Sequence, residues 1–375
     1  MESAATLGFK GRLFENGILN GATTARVSIS GRAYVNFVGC GYLALSQVPE
    51  LRAAARQALE DGAPFCRQFP SDFDVIDPIF RRVEQQAAAA LGTEASIYFA
   101  SGYLIGMVGV ASLADSFDLI FIDESAHYNL QDAVKLTGLR SFKFAHCDAE
   151  HLRQLLQQHV GTKERPLIVT DGVFPATGTL PPLADYASVC APYEGRFFID
   201  ESHAFGVVGA HGRGSAEYCG VEHLAATGAT LSKAFCGQGA IVGGTNQAIA
   251  RLRTLPIIRG ANAGSPISAA ASAASLEYVK GHPELRDKLR ATALYLRQQL
   301  RSLGLPITDS PAPVVSFQLG RREEMQALQR KVLSRGVYIH HSDYIGAGPQ
   351  GLIWCAVFAD HTRDDINALI EAIRE

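Results

Sequence analysis

Residues 196–203 read Arg-Phe-Phe-Ile-Asp-Glu-Ser-His, and residues 119–127 read Leu-Ile-Phe-Ile-Asp-Glu-Ser-Ala-His. Each is a short apolar run of β-prone residues that breaks into two acids, a serine and then a histidine. Runs of this length, apolar throughout rather than alternating, fit strands buried on both faces of a sheet. Two more follow the same plan: Leu167-Ile-Val-Thr170 ends in Asp171-Gly172, and Ala229-Thr230 leads to Ser232-Lys233. Further strands are expected at 96–100, 141–144 and 241–244, with helical periodicity at 102–113, from about 130, at 149–159 and at 183–191. This alternation over residues 95–250 predicts an α/β fold with a mostly parallel sheet flanked by helices. Ligands bind such sheets beyond the carboxyl ends of the strands, which is where all four polar endings fall.

Working outward, residues 49–59 and 78–91 read as helices, the second closed by Gly92. Beyond Pro266 the pattern changes. A long helix over 268–303 is interrupted near Gly281-His282-Pro283, and strands at 314–319 and 352–358 alternate with helices at 322–335 and 363–374. The expected organisation is an N-terminal segment, 1–48, packing with a smaller C-terminal α/β domain, 266–375, and a large domain, 49–265, between them. With 375 residues, 47% of them hydrophobic, the chain can bury both cores.

The formal net charge of −3 gives no basic footprint for nucleic acid. Seven widely spaced cysteines contain no C-x-x-C pair, so they read as buried free thiols rather than a zinc site or a disulfide framework. The first residues, MESAATLGFKGRLFENG, lack the apolar core of a secretory signal. No apolar stretch approaches the ~18 residues of a membrane span. A cytoplasmic enzyme is the expectation, with no metal.

The polar strand endings match the needs of pyridoxal 5'-phosphate (PLP). An amine must hold the cofactor as a Schiff base, and Lys233 is placed for it. A carboxylate must keep the pyridine nitrogen protonated so that the ring drains electrons, and Asp200 is the candidate, with Asp171 at the neighbouring strand end. His127 would cover the ring and His203 would approach its phenolic oxygen. The turn Ser101-Gly102-Tyr103, between a strand and a helix, offers backbone N–H groups to a phosphate, and Thr230 and Ser232 add hydroxyls. Taken singly, each residue has a plainer role: a surface lysine, a helix-capping aspartate, a loop histidine, a common turn.

The stretch from Asp200-Glu-Ser-His203 through Gly209, Gly212 and Gly214, followed by Ala229-Thr-Leu-Ser-Lys233, resembles the α-oxoamine synthase family of fold-type I PLP-dependent transferases. Asn36-Phe37, Tyr42 to Ser46, Ser101-Gly102-Tyr103, Asp123 to His127 and Thr170 to Phe174 agree with it, so the likeness runs from about residue 34 to the C-terminus. The resemblance implies a homodimer with active sites at the subunit interface. It implies an acyltransferase that joins an amino acid to an acyl thioester, carried on coenzyme A or on an acyl-carrier protein, usually with loss of CO2. Lys233 would carry the cofactor and shuttle protons, Asp200 would pair with the ring nitrogen, His127 would stack and His203 would contact the ring hydroxyl.

The substrate side departs from the family pattern. Cys40-Gly41 stands where the family has Asn-Asp. Gly106 replaces an Asn, Pro175 a Ser, and residues 63–72 a Gly/Ser-rich segment. A Ser-Thr pair that reaches the neighbouring subunit's phosphate aligns with Ala263-Gly264, with Ser265 adjacent. The family's carboxylate-binding arginine aligns with Trp354. Its loss removes a bidentate clamp, leaving Arg67, Arg259 or Arg32 as substitutes, or Trp354 as an aromatic wall for a bulkier substrate, or a changed activity; the plainer reading of Trp354 is packing within the small domain. Cys40, Arg67 and Trp354 are therefore the substrate-side candidates. An aminotransferase, decarboxylase or lyase on the same fold, or a silent binding protein, are the alternatives. Gly346-x-Gly348-x-x-Gly351 matches a dinucleotide fingerprint but precedes a strand, and reads as a loop.

Overall fold

The computed structural model describes residues 13–14, 17–67, 77–261 and 263–374. Residues 68–72 of the segment that replaces the Gly/Ser-rich stretch lie outside them. Seven strands form the central sheet: Ala95–Phe99 (β1), Leu119–Asp123 (β2), Arg140–Phe144 (β3), Pro166–Asp171 (β4), Arg196–Asp200 (β5), Ala225–Thr230 (β6) and Ala240–Gly244 (β7). Their order across the sheet is β1-β7-β6-β5-β4-β2-β3. Only β7 runs antiparallel to its neighbours, so the sheet is mostly parallel as expected.

The apolar runs are buried on both faces, as continuous hydrophobicity requires. In β2, Ile120 and Ile122 enter one core layer, while Leu119 and Phe121 enter the opposite one. In β5, Phe198 takes the first layer, and Phe197 and Ile199 the second. This period of two gives each side of the sheet its own layer of helices. The chain leaves β2 toward β3 at one edge and resumes at β4 on the other side of β2. The crevice beyond the carboxyl ends of β2, β4, β5 and β6 is thus the place for a ligand.

The interruption at Gly281-His282-Pro283 separates helices Pro266–Gly281 and Glu284–Ser302. The first is rich in alanine and serine, and it packs closely against Pro49–Glu60 and Pro78–Leu91 in a third core. The helix predicted at 102 starts as a 3-10 turn, Gly102–Leu104, before Ile105–Leu113. Beyond them Val314–Phe317, Leu352–Ala356 and His340–Ser342 make an antiparallel sheet. The N-terminal hairpin Arg26–Ile29 and Arg32–Asn36 extends a further sheet through a parallel pairing of Val35 with Val337. Val337–Tyr338 and His340–Ser342 were not anticipated because they are too short to show a period, and neither were the N-terminal strands, whose polar and charged residues leave no continuous apolar run. Among the described residues no helix is long and apolar enough to cross a membrane. All seven cysteines are free, but only Cys190 and Cys355 are fully buried; Cys66 is exposed, which corrects the expectation of uniformly buried thiols.

Candidate active site

Three buried carboxylates line the carboxyl edge of the sheet. Asp123 ends β2, Asp171 ends β4 and Asp200 ends β5, with Asp171 and Asp200 paired in register. The two Asp-Glu-Ser endings fold alike: Asp123 Oδ1 accepts from the Ser125 N–H at 2.8 Å, and Asp200 Oδ1 from the Ser202 N–H at 3.0 Å. Such Asx turns hold a strand-end carboxylate in one orientation. Their second oxygens then differ. Asp123 Oδ2 accepts from the Cys147 N–H at 2.9 Å, and His146 Nδ1 lies 3.1 Å from Oδ1, so this carboxylate organises a loop. Asp200 Oδ2 receives the Asn129 side-chain N–H at 2.8 Å. Asp171 Oδ2 accepts the backbone N–H of His127 at 2.8 Å. Burial, and then the adjacent Asp200, raise the Asp171 pKa well above the usual carboxylate range.

His127 opens helix Tyr128–Leu136 at its N-cap. Its Nδ1 is 2.8 Å from Asn129 Oδ1 and its Nε2 is 2.7 Å from the Tyr344 hydroxyl. The rings of Tyr103 and Tyr128 flank it at 6.3 and 6.1 Å. Burial lowers the imidazole pKa, so the ring is neutral. Gly106 makes this packing possible, since a Cβ there would lie 2.6 Å from the Asn129 carbonyl oxygen.

Lys233 follows β6 in a tight loop closed by the bonds Cys236 N–H to Lys233 O and Gly237 N–H to Leu231 O. The side chain is half-buried. Among the described residues its amine has no hydrogen-bond or ion-pair partner, yet its charge opposes protonation of His127, His203 and Asp171. Thr230 Oγ1 lies 2.8 Å from Ser232 Oγ, and a Cβ on Gly102 would lie 2.9 Å from that same Thr230 oxygen. Ser101 caps the 3-10 turn, with its Oγ accepting from the Tyr103 N–H, while the Tyr103 hydroxyl donates to Asp132. Ser101, Gly102, Thr230 and Ser232 therefore form one cradle of hydroxyls and N–H groups beside Lys233.

His203 is buried, and its Nδ1 is 2.7 Å from the Tyr42 hydroxyl, which leaves Nε2 for a ligand. Burial pushes its pKa well down. Cys40 stands beside Tyr42 and raises that phenol's pKa further, after burial. Cys40 thus joins the site, through Tyr42.

The remaining candidates stand apart from this group. The Arg67 guanidinium is taken by Asp77, with Nε 2.7 Å from the carboxylate that caps helix Pro78–Leu91. Arg32 donates to the Ser334 carbonyl, and Arg259 is exposed at the end of Pro256–Arg259. Ser265 caps helix Pro266–Gly281. Trp354 is 8% exposed and its indole N–H donates to the Pro175 carbonyl at 2.8 Å. Two departures from the family pattern therefore touch each other, and Trp354 braces the strand Leu352–Ala356 against the loop after β4. Asn129 and Tyr344 were missed by sequence reasoning. Asn129 sits two residues after His127 and was signalled by its Asx character. Tyr344 is in the loop of Gly346, Gly348 and Gly351, whose φ values of +86°, +73° and +73° make it a glycine-specified loop rather than a nucleotide fold.

The residues present fit PLP: an amine with no partner among the described residues, a buried carboxylate held by donors on both oxygens, a stackable imidazole, and a cradle at a helix start that a Gly102 side chain would fill. The sequence profile of the class I and II aminotransferases matches residues 41–373. The 8-amino-7-oxononanoate synthase of Trichlorobacter lovleyi is 32% identical over 361 residues, covering 94% of this chain and 90% of that protein. The enzyme of the same name from Pelobacter propionicus is 30% identical, covering 97% and 94%. Among solved structures, a serine palmitoyltransferase from S. paucimobilis with a bound PLP–myriocin aldimine superposes with a TM-score of 0.88 at 21% identity, covering 95% of this chain and 91% of that one. The 8-amino-7-oxononanoate synthase of Francisella tularensis superposes at 0.75 and 22% identity, covering 91% and 96%.

Proposed function

The chain belongs to the class I and II aminotransferase family of fold-type I PLP enzymes, in its α-oxoamine synthase branch, and from that premise we propose that it condenses an amino acid with an acyl thioester, with loss of CO2, to give an α-oxoamine. The observation that carries this reading is the amine of Lys233, without a partner among the described residues, in the loop that follows the strand paired with the one ending in the buried, donor-held carboxylate of Asp200.

PLP, when bound, supplies an electron sink for the bonds broken and made at the amino acid's α-carbon. Lys233 Nζ would hold it covalently, then take the proton from that α-carbon and return it after the new carbon–carbon bond forms. Asp200, kept in place by Asn129 and Ser202, would hold a proton on the ring nitrogen. His127 would cover one ring face and exclude water from it. His203, with Nδ1 engaged by Tyr42, would offer Nε2 to the ring hydroxyl. Ser101, Gly102, Thr230 and Ser232 would bind the phosphate, with Ser265 of a second subunit completing it in a homodimer. We place Cys40 on the substrate side through Tyr42, assign the protein to the cytoplasm, and divide the chain at 48/49 and 265/266.

Single amino acids with acyl-coenzyme A or acyl-carrier-protein thioesters, added to the PLP-loaded protein, test the reading. Thiol and CO2 are expected in equal amounts, with a product mass that joins the acyl and amine parts. Release of a 2-oxo acid without thiol would point instead to an aminotransferase, and no turnover with any pair would overturn the proposal.

A further inference from the structure

We propose that Asn129 and Tyr344 are positioning residues of this site, members of a hydrogen-bond relay, Asp200–Asn129–His127–Tyr344, that fixes one tautomer and one ring orientation of His127. The inference rests on the functional reading above for its consequence in turnover, but not for its geometry.

The assignment follows link by link. A carboxylate oxygen can only accept, so the atom of the Asn129 amide 2.8 Å from Asp200 Oδ2 is the NH2 group. The other end of that amide, Oδ1, therefore faces His127 Nδ1 at 2.8 Å, and two acceptors do not approach so closely. Nδ1 must carry the proton. The Asn129 backbone N–H, 3.2 Å from the same nitrogen, could donate there only in the other tautomer, and we give the shorter Oδ1 contact precedence over it. In a neutral imidazole Nε2 is then the acceptor, and the Tyr344 O–H, at 2.7 Å, is its donor. Burial raises the Tyr344 pKa to about 12, which keeps that proton on the phenol.

The relay spans the molecule. Asp200 and Asn129 belong to the large sheet and its helix, whereas Tyr344 comes from the glycine-specified loop between His340–Ser342 and Leu352–Ala356. Asn129 is 1% exposed and Gly106 admits its backbone, so the inner links are rigid. Tyr344 is 37% exposed, with its ring 5.8 Å from that of His127 and 5.4 Å from that of Tyr128. The loop thereby holds the imidazole at Nε2, the end opposite Asn129. The groups that face His127 are Asp200, Asp171, Lys233, His203, Tyr103, Tyr128 and Tyr344.

Full-length protein carrying 15N-histidine, without and then with PLP, tests this. Wild-type His127 is expected to show a protonated Nδ1 and a bare Nε2. In Tyr344→Phe, losing the donor to the neutral ring should raise the His127 pKa by about half to one unit. In Asn129→Ala the two tautomers should mix. In either variant kcat should fall about tenfold, while PLP half-saturation moves less than about twofold, as for a partner acting through an oriented group. A proton on Nε2 in the wild type, or His127 resonances and pKa unchanged in Tyr344→Phe, would overturn the relay. If the wild type takes up no PLP, the functional reading fails instead, and the unloaded protein still judges the relay.

Discussion

On one side of the site Asp171, Asp200 and Thr230 occupy the last positions of adjacent parallel strands, and Lys233 follows within three residues. On the other side Cys40 and Tyr344 come from segments that reach it from either end of the chain, while Trp354 stands farther off against the loop after β4. The first group is placed by register: pairing Asp171 with Asp200 across β4 and β5 sets their spacing before any side chain is considered. The second is placed by single contacts between residues far apart in sequence, 161 for Tyr42 and His203, 179 for Trp354 and Pro175, 217 for Tyr344 and His127. A site of this build separates groups fixed by sheet register from groups fixed by a few distant pairs.

The sharpest way to break that division is at the brace. Trp354→Ala removes a nearly buried indole and leaves the Pro175 carbonyl without its donor, so unfolding should be destabilised by about 3–5 kcal/mol in a denaturant titration. Because the sheet edge does not depend on Trp354, PLP binding to the fraction that remains folded should be unchanged. Next, Asp200→Asn keeps the shape but loses the charge at the ring nitrogen. Turnover should drop about 100-fold, near 2.7 kcal/mol, with the fold and PLP uptake retained. A loss of folding instead would mean that Asp200 serves the turn more than the ring.

Glu201 gives the smallest effect and the cleanest sign. It is buried, it accepts from Ser215 N–H, Ser215 O–H and Ala216 N–H, and burial nonetheless raises its pKa from 4.5 to about 7. The folded state therefore holds this proton more tightly than the unfolded one. The associated stability is complete below about 4.5 and is lost as pH rises through about 7, at about 1 kcal/mol per pH unit in that window. Thermal melts across pH 5–7 should fall in the wild type and flatten in Glu201→Gln; parallel curves would exclude Glu201 as the source.

The same division explains what was legible in the sequence. Strands such as 119–122 and 196–199 could be read because burial on both faces demands continuous apolar residues, and Lys233, Asp200 and His127 because strand ends are where chemistry concentrates. The proline and glycine punctuation likewise located helix 78–91 and the interruption at Gly281-His282-Pro283. Arg67, expected at the substrate, is instead paired with Asp77, ten residues along the chain; nothing in its local sequence distinguishes a capping partner from a substrate ligand. Trp354 illustrates the opposite case. Its alignment with a carboxylate-binding position left both a substrate wall and a packing role open, and its N–H is taken by a backbone carbonyl that only the folded chain brings to it. Tyr344 lies two residues before a glycine motif dismissed as a loop, and a loop it is, but one that delivers a phenol to His127.

The central claim is that Lys233 holds the cofactor. Addition of PLP to the purified protein, reduction with borohydride and peptide mapping test it directly. The account predicts a visible absorbance band on PLP addition, a single pyridoxyl label on Lys233 after reduction, and loss of both in Lys233→Ala. A label on another lysine, or no band and no label in the wild type, would contradict it.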